Sequence, residues 1–279
     1  MSEDQRTRAS SYDPAGMHGG FGGEMERLEQ QAALAWREES RIVADLAHDG
    51  MAVLDAGCGS GAATAQLRSL LPSSRIAGVE VNPELLAVAR DRFAADPRTA
   101  ILEGNLRDVA TVTAGAAPFD FAYARFVFQH LAEPVAIARS LRTVLRPGGR
   151  LAVCDVDGGM WGAAVPDYEN LSAAAYRRLG ASQAQAGGDR LIVRKLPRIL
   201  REAGYTDVTV RPYAYTVDEY GIDELAPHVS PRRLLPLVLD GELPLGEYAQ
   251  AQLAWERFQA ASGYLMLLGF IVVGTVPEQ

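Results

Sequence analysis

Residues 53–64 have the sequence VLDAGCGSGAAT, and this stretch decides the fold. A short apolar run ends in a glycine-rich turn, and an Ala- and Leu-rich segment at residues 61–71 then has helical character. Gly57, Gly59 and Gly61 let the backbone turn sharply and approach a ligand with no Cβ in the way. The N-terminus of the next helix offers free N–H groups to an anion. The stretch therefore predicts a strand, a ligand-binding loop and a helix.

Strands and helices alternate along most of the chain outward from this loop. Strands alternating with helices indicate a parallel sheet whose two faces are both covered by helices. We therefore predict an α/β fold, a Rossmann-like, seven-stranded and mostly parallel sheet, with Asn82 and Pro83 beginning one of its helices. The strands are predicted at residues 51–57, 75–81, 99–105, 119–125, 150–156, 207–215 and 267–275, and the helices between them at residues 61–71, 83–93, 134–149 and 195–204.

Segments outside the sheet suggest a division of one structural domain into three parts. Residues 1–50 form what we call the lid, a glycine-rich arm followed by a helix predicted at residues 24–47. Residues 51–156 form the ligand-binding core. Residues 157–279 hold the last helix and strands of the core and two insertions, residues 157–192 and 217–262, which we call the roof.

Composition and charge exclude several classes of protein. The chain has 279 residues, 48% hydrophobic and 22% charged, and a net charge of -8. An acidic chain without a Lys/Arg cluster lacks the electrostatic surface of a nucleic-acid binder. The longest apolar stretch, residues 264–276, is too short to span a bilayer, so no membrane association is predicted. Two cysteines without a metal-ligand pattern, and a polar N-terminus, predict a cytoplasmic protein with no metal site.

Glu80 ends the next predicted strand, 23 residues after Gly57. A carboxylate at this place can accept hydrogen bonds from both ribose hydroxyls of a nucleotide and would repel a 2′-phosphate. Taken alone, the loop also fits a dinucleotide site, because Gly57, Gly59 and Ala62 have the G-x-G-x-x-A spacing. These residues alone do not decide whether the cofactor is a dinucleotide or another molecule that contains a ribose.

The motifs in their order resemble those of class I S-adenosylmethionine (SAM) dependent methyltransferases. LDAGCGSG resembles that family's first motif, and VEVNPELLAVAR resembles its ribose-binding acidic motif. EGN, residues 103–105, stands where the family usually has a Gly-Asp pair that contacts adenine. FDFAYARFVFQHL and LRTVLRPGGRLAVCDVD resemble its fourth and fifth motifs. The resemblance covers residues 24–155 closely and is strongest to the small-molecule group that includes ubiquinone/menaquinone and natural-product methyltransferases.

The resemblance implies SAM as cofactor and a set of residues that hold it. Asn105 replaces the more common Asp, but it keeps a carbonyl acceptor for the adenine amino group. YARF stands where amino-methyltransferases of DNA bases or glutamine carry an Asn-Pro-Pro-Tyr motif, which argues against that activity. The predicted cofactor-binding residues are Gln31, Asp55, Ala56, Gly57, Gly59, Glu80, Val81, Asn105, Leu106 and Arg125.

Three residues are candidates for the chemistry of methyl transfer. His130 follows the fourth strand, at the sheet edge where ligands bind, and is the best candidate for a general base or a cavity wall. Tyr12 precedes the glycine-rich arm and is predicted to fold over the sulfonium or the substrate. Asp157 follows the fifth strand and is expected to face the same opening.

Each of these predictions has a plainer alternative. His130 can simply pack against the next helix, and Gln31 can lie on a solvated helix face. Arg125 can form a salt bridge to the core instead of binding the SAM carboxylate. The aromatics in or near the roof are predicted to supply some walls of an apolar substrate cavity and some ordinary core. They are Trp161, Tyr168, Tyr176, Tyr213 and Tyr215.

The predicted function is methyl transfer from SAM to a small, largely apolar metabolite of secondary or quinone-type metabolism. An in-line displacement of this kind is accelerated mainly by positioning and by exclusion of water. The alternatives are an NAD-dependent oxidoreductase that uses the same loop, a non-catalytic SAM-binding protein and a protein methyltransferase. The predicted partner is a small molecule, and a swapped N-terminal arm leaves a homodimer or larger homo-oligomer open.

Overall fold

The described part of the chain forms one sheet with helices on both of its faces. The sheet contains seven core strands and one short additional strand, β6. The computed structural model describes residues 12, 20–155, 157–159, 162–165, 177–178 and 180–278. The strands are β1 (Ala52–Ala56), β2 (Arg75–Glu80), β3 (Thr99–Glu103), β4 (Phe119–Arg125), β5 (Leu145–Asp155), β6 (Gly162–Val165), β7 (Thr206–Thr216) and β8 (Tyr264–Thr275).

The helices alternate with the strands through the core and then follow one another in the roof. Residues 180–185 are also helical. The helices are α1 (Gly20–Ala44), α2 (Ala62–Leu70), α3 (Pro83–Arg92), α4 (Val109–Val112), α5 (Pro134–Thr143), α6 (Leu196–Glu202), α7 (Val217–Tyr220), α8 (Ile222–Val229), α9 (Leu235–Leu239) and α10 (Leu245–Ala260).

The strand order confirms the predicted Rossmann-like sheet. Strands β3, β2, β1, β4 and β5 lie side by side in that order and are parallel, and β8 is antiparallel to β5. Strand β7 pairs with β8 along most of its length, and β6 pairs with the start of β8. Because the chain order reverses between β1 and β4, a crevice opens at the carboxyl ends of these two strands.

Two consecutive residues of strand β1 show that both faces of the sheet are buried. Val53 and Leu54 are each 0% exposed. Val53 packs in one cluster with Val43 of α1 and Leu67 of α2, whereas Leu54 packs in another cluster with residues of α5 and α6. Successive side chains of a strand point to opposite faces, so helices cover both sides of the sheet.

The predicted start of helix α3 was accurate, whereas the predicted end of helix α5 was not. The Asn82 side chain accepts hydrogen bonds from the N–H groups of Glu84 and Leu85, as a helix cap does. Helix α5 ends at Thr143 instead of near residue 149, because Leu145 already pairs with Phe119 of β4. Sheet pairing therefore ends this helix before Pro147 is reached.

The division into residues 1–50, 51–156 and 157–279 stays a prediction. Helix α1 packs against the core sheet, and β7 and β8 complete that sheet, so the three parts share one core. In the described part of the chain, no helix combines the length and apolar character needed to cross a membrane.

Candidate functional site

A large cavity lies at the carboxyl ends of the parallel strands, between the core sheet, helix α1 and the roof. Its volume is about 1550 Å³. It brings together parts of the chain that the sequence analysis assigned separately to cofactor binding, lid and roof. The predicted site residues that line it are Tyr12, Gln31, Gly57, Gly59, Glu80, Val81, Asn105, Leu106, Arg125 and His130.

The glycine loop is shaped by backbone conformation and by close packing. Gly57, Gly59 and Gly61 have φ values of 79°, 57° and 80°, in the left-handed region that favours glycine. A Cβ on Gly57 would lie 2.7 Å from a methyl carbon of Val127, and a Cβ on Gly61 would lie 2.8 Å from the Phe93 ring. A Cβ on Gly59 would have no atom within 4 Å, so this side of the loop is open toward the cavity.

Glu80 is held at the end of β2 by backbone donors. Its Oε2 accepts the N–H of Gly59 at 2.9 Å, and its Oε1 accepts the N–H groups of Val81 at 2.9 Å and Asn82 at 2.7 Å. A carboxylate offers about four acceptor positions. Three backbone donors therefore leave room for one ribose hydroxyl, and a second hydroxyl must share a position with them.

Asp55 lies behind the loop and carries an unsatisfied oxygen. Its side chain is buried, and Oδ2 accepts the Thr64 hydroxyl at 2.5 Å. Oδ1 has no partner among the described residues, and burial raises the pKa of this carboxyl to about 6. A buried acceptor beside the loop fits a cationic ligand group, and SAM carries both an ammonium and a sulfonium. Neighbouring Ala56 is buried in the core, so only its backbone can face a ligand.

Asn105 and Leu106 occupy the place predicted for adenine contacts. The Asn105 Oδ1 atom accepts the N–H of Arg107 at 2.9 Å and so begins a short 3-10 helix, Leu106–Asp108. The amide oxygen expected to meet adenine thus has one of its two acceptor positions occupied. Leu106 is buried and supplies an apolar wall of the cavity.

Arg125 forms the salt bridge that the sequence left as an alternative to SAM binding. Its Nε atom lies 2.8 Å from Oε2 of Glu39 on α1, and its Nη2 donates to the backbone oxygen of Gln31 at 3.2 Å. Both side chains of the pair are buried, at 7% and 0% exposure. Arg125 also lines the cavity, so its charge reaches the site largely neutralised by Glu39.

Glu39 is a neighbour of the site that the sequence analysis did not single out. Besides Arg125, it accepts the hydroxyls of Tyr123 at 2.9 Å and Tyr213 at 2.8 Å. Burial alone would raise the pKa of Glu39, but Arg125 and the hydroxyl donors hold this pKa below its ordinary value. A sequence signal exists, because Glu39 continues the buried face of α1 formed by Ala32 and Ala35. A glutamate on such a face needs a buried partner.

Tyr12 is fixed over the cavity by residues at the start of α1. Its hydroxyl donates to Oε1 of Glu24 at 2.5 Å, and its ring centroid lies 5.3 Å from that of His130. Glu24 is buried and also accepts two hydrogen bonds from Arg27, at 2.7 and 2.6 Å. Arg27 in turn donates to the side-chain oxygen of Gln31 at 3.3 Å. We call Tyr12, Glu24, Arg27 and Gln31 the lid network.

His130 follows β4 in the 3-10 turn Phe128–His130, as its sequence position suggested. The Gln183 side-chain amide nitrogen lies 3.3 Å from its Nδ1 and 3.0 Å from the backbone oxygen of Gln129. If this amide donates to both, Nδ1 is an acceptor and the ring proton lies on Nε2. Burial, with Arg190 and Arg27, lowers the pKa of His130 to about 3, so the ring is neutral near pH 7.

The expected position of Asp157 was wrong. It does not line the cavity; its carboxylate is bound by Arg194 at 2.6 and 2.9 Å and accepts the N–H of Gly159 at 2.9 Å. The partner lies 37 residues further along the chain. The prediction used only the position of Asp157 after β5, and an ion pair over this separation could not be inferred from that position.

The roof and the adjoining strand β7 contribute polar and aromatic side chains to the cavity. His228 and Trp255 of the roof and Tyr215 of β7 line it, whereas Tyr213 of β7 belongs to the buried Glu39 cluster. Trp255 was not singled out from the sequence. The other predicted roof aromatics, Trp161, Tyr168 and Tyr176, lie outside the described residues. In the described part, no group of three or more His, Cys, Asp or Glu side chains is placed to hold a metal ion.

Comparison with known proteins agrees with this geometry. Residues 54–151 match the protein family described as a methyltransferase domain. An uncharacterised 37.1 kDa protein of a Streptomyces fradiae transposon is 32% identical over 68% of this chain and 54% of its own length. The trans-aconitate 2-methyltransferase of Methylobacterium radiotolerans is 34% identical over 59% of this chain and 58% of its own length. The chain thus spans just over half the length of these two relatives.

The fold is shared with a solved methyltransferase. A phosphoethanolamine N-methyltransferase of Haemonchus contortus superposes with a TM-score of 0.54 at 16% identity, covering 87% of this chain and 53% of that one. Residues 54–151 therefore form a methyltransferase domain, in agreement with the predicted class. SAM, the predicted cofactor, is the cofactor of this class, and the Asp55 and Glu80 carboxylates fit it.

Proposed function

We propose that the protein transfers a methyl group from SAM to a small metabolite with a largely apolar body. One observation carries the proposal. A single cavity is lined at the sheet edge by the glycine loop and Glu80, and elsewhere by Tyr215 of β7 and Trp255 of the roof. Its volume of about 1550 Å³ exceeds the roughly 300–1,000 Å³ typical of a drug-sized ligand site, so cofactor and acceptor have room side by side.

The residues of the chain act mainly by positioning. When bound, SAM supplies a methyl group activated by its sulfonium sulfur. Glu80 and Asn105 would hold the nucleoside end of SAM, and the carboxylate of Asp55, behind the loop, would stabilise its cationic end. Tyr12 closes the lid side and excludes water, which favours an in-line displacement. His130 donates a hydrogen bond from Nε2 to the methyl-accepting substrate or forms the adjacent wall of the cavity. To act as a general base, the ring would need its other tautomer, with the proton on Nδ1.

The environment of the two cysteines supports a cytoplasmic location. Cys58 and Cys154 are both buried and both free. Burial raises the pKa of each thiol well above its ordinary value, so neither is poised for reaction. Free buried thiols are typical of proteins from reducing compartments.

The proposal is tested by following the formation of S-adenosylhomocysteine (SAH) from SAM. The purified protein is incubated with SAM and a panel of phenols, quinols and small organic acids, with Glu80→Gln as the impaired variant. We expect at least one panel member to raise SAH formation above the rate without acceptor, and Glu80→Gln to raise the KM for SAM. The variant Glu103→Gln, at an exposed position of the neighbouring strand, serves as the control.

SAM binding without acceptor-dependent SAH formation across the panel would contradict the proposal. That result would favour a SAM-binding protein without transferase activity.

A further inference from the structure

His228 is a buried imidazole in the cavity wall whose hydrogen bonds are not satisfied. It lies on α8 of the roof and is 6% exposed. Neither of its ring nitrogens has a hydrogen-bond partner among the described residues. Buried polar atoms without partners are rare in folded proteins because leaving them unpaired is unfavourable. The sequence gives no local reason for a histidine between Pro227 and Val229, so a bound molecule is the natural partner.

The charges around His228 are positive. Nη1 of Arg233 donates to the backbone oxygen of His228 at 2.6 Å, which places the guanidinium beside this turn of the roof. Burial, followed by Arg233, Arg27 and Arg125, lowers the pKa of His228 to about 3. Arg27 lies on α1 and Arg125 ends β4, so Arg233 is the one of these three arginines that belongs to the roof.

The neutral ring can therefore act as a donor in a positive environment. At physiological pH the imidazole carries one N–H donor and one acceptor nitrogen. Hydrogen bonds from a neutral donor to an anion are stronger than those to a neutral acceptor. An anionic group placed here would meet both the N–H of His228 and the field of Arg233. The roof carboxylates that line the cavity, Asp223, Asp240 and Glu256, are exposed to solvent, so water screens their effect on His228.

We propose that His228 and Arg233 form an acceptor subsite that binds a carboxylate of the methylated substrate. This inference rests on the proposed methyltransferase function and narrows its substrate to small carboxylic acids. The apolar part of the acid contacts Tyr215, Trp255 and Leu267, which line the same cavity. The carboxylate accepts the N–H of His228 and is neutralised by Arg233.

The experiment compares acids with their amides on the full chain saturated with SAH. A panel of aliphatic and aromatic carboxylic acids, each paired with its primary amide, is titrated by calorimetry. We expect acids to bind, and each amide to bind about tenfold more weakly or worse, because the charge-assisted bond is lost. His228→Phe should reduce acid binding by a similar factor without lowering stability, since it removes a buried ring with unpaired nitrogens. Either His228→Asn or His228→Gln should restore part of the affinity.

His48→Phe, an exposed histidine outside the cavity, is the matched control and should leave acid binding unchanged. Amides that bind as well as their acids would overturn the inference, as would a panel in which no acid binds. Wild-type affinity in His228→Phe would also overturn it. If that variant does not fold, the acid-to-amide ratio of the natural chain decides alone. Failure of SAH itself to bind would instead overturn the proposed function, on which the inference depends.

Discussion

Removing the Glu39 carboxylate should destabilise the protein far more than removing an exposed carboxylate of the same helix. Glu39→Gln keeps the side-chain size but leaves the guanidinium of Arg125, 7% exposed, without its counter-charge. Breaking a buried ion pair from one side costs about 3–5 kcal/mol. For a chain of 279 residues, with about 2.1 cal/mol/K of unfolding entropy per residue, this lowers Tm by about 5–9 °C.

The assay is urea unfolding followed by tryptophan fluorescence, with Glu29→Gln as control. Glu29 lies on the same helix and pairs with Arg92, but both side chains are partly exposed, so its loss should cost less than about 1 kcal/mol. The double variant Glu39→Gln/Arg125→Met should recover part of the lost stability, because it no longer buries a lone charge.

The pH dependence gives a second check on the same pair. The folded-state pKa of Glu39 lies below its ordinary value of 4.5. The charged carboxylate therefore contributes to the free energy of unfolding above pH 4.5, and this contribution is lost as the pH falls through the folded-state pKa. The gap between the natural chain and Glu39→Gln should therefore close below about pH 4.5. A gap equal to that of the Glu29 control at pH 7.5 would refute the reasoning.

Three further predictions concern the cavity. Tyr12→Phe removes one hydrogen bond of the lid network, so we expect a several-fold rise in the KM for SAM. The free energy of unfolding should change by less than about 1 kcal/mol, because Glu24 keeps its two hydrogen bonds from Arg27. An unchanged KM would contradict the role of Tyr12 in closing the cavity. Asp55→Asn should stabilise the ligand-free protein at pH 7.5 by up to about 3 kcal/mol. The pKa of Asp55 is raised from its ordinary value of 3.8 to about 6. The protonated carboxyl therefore contributes to the free energy of unfolding below pH 3.8, and this contribution is lost as the pH rises through 6. The same variant should bind SAM at least tenfold more weakly, and equal affinity by calorimetry would refute the fit to a cationic group. His130 and His228 have folded-state pKa values of about 3. Each should therefore lower the free energy of unfolding by about 1.4 kcal/mol between pH 7.5 and 5.5, because the histidine gains a proton only in the unfolded chain. Urea unfolding at the two pH values should show a correspondingly smaller loss of stability in a Gln variant of either residue.

The parts of the site that are local in sequence were predictable. The turn between β1 and α2 requires glycines within five residues, and the Asn82 cap acts on N–H groups two and three residues away. Glu80 is bound by the loop because β2 lies beside β1 in a parallel sheet, and the strand pattern already indicates this arrangement. In each case, the interaction follows from a short spacing or from the sheet order.

The parts that depend on pairing across the fold were not predictable. Asp157 is bound by Arg194, and Glu39 by Arg125, over separations of 37 and 86 residues. One arginine was expected at the cofactor and the other was not considered, since a sequence position does not show which carboxylate is buried nearby. His228 shows the same limit, because its unsatisfied nitrogens are visible only once the roof is packed.

The most direct test of the account is a parallel thermal-unfolding measurement with SAM, SAH and NAD. A ligand at about 100 times its Kd stabilises the native state by about 2.7 kcal/mol, which corresponds to a rise in Tm of about 4–5 °C for this chain. We predict such a rise with SAM and with SAH, a smaller one in the Glu80→Gln variant, and none with NAD. A rise with NAD alone would contradict the account and make the glycine loop a dinucleotide site.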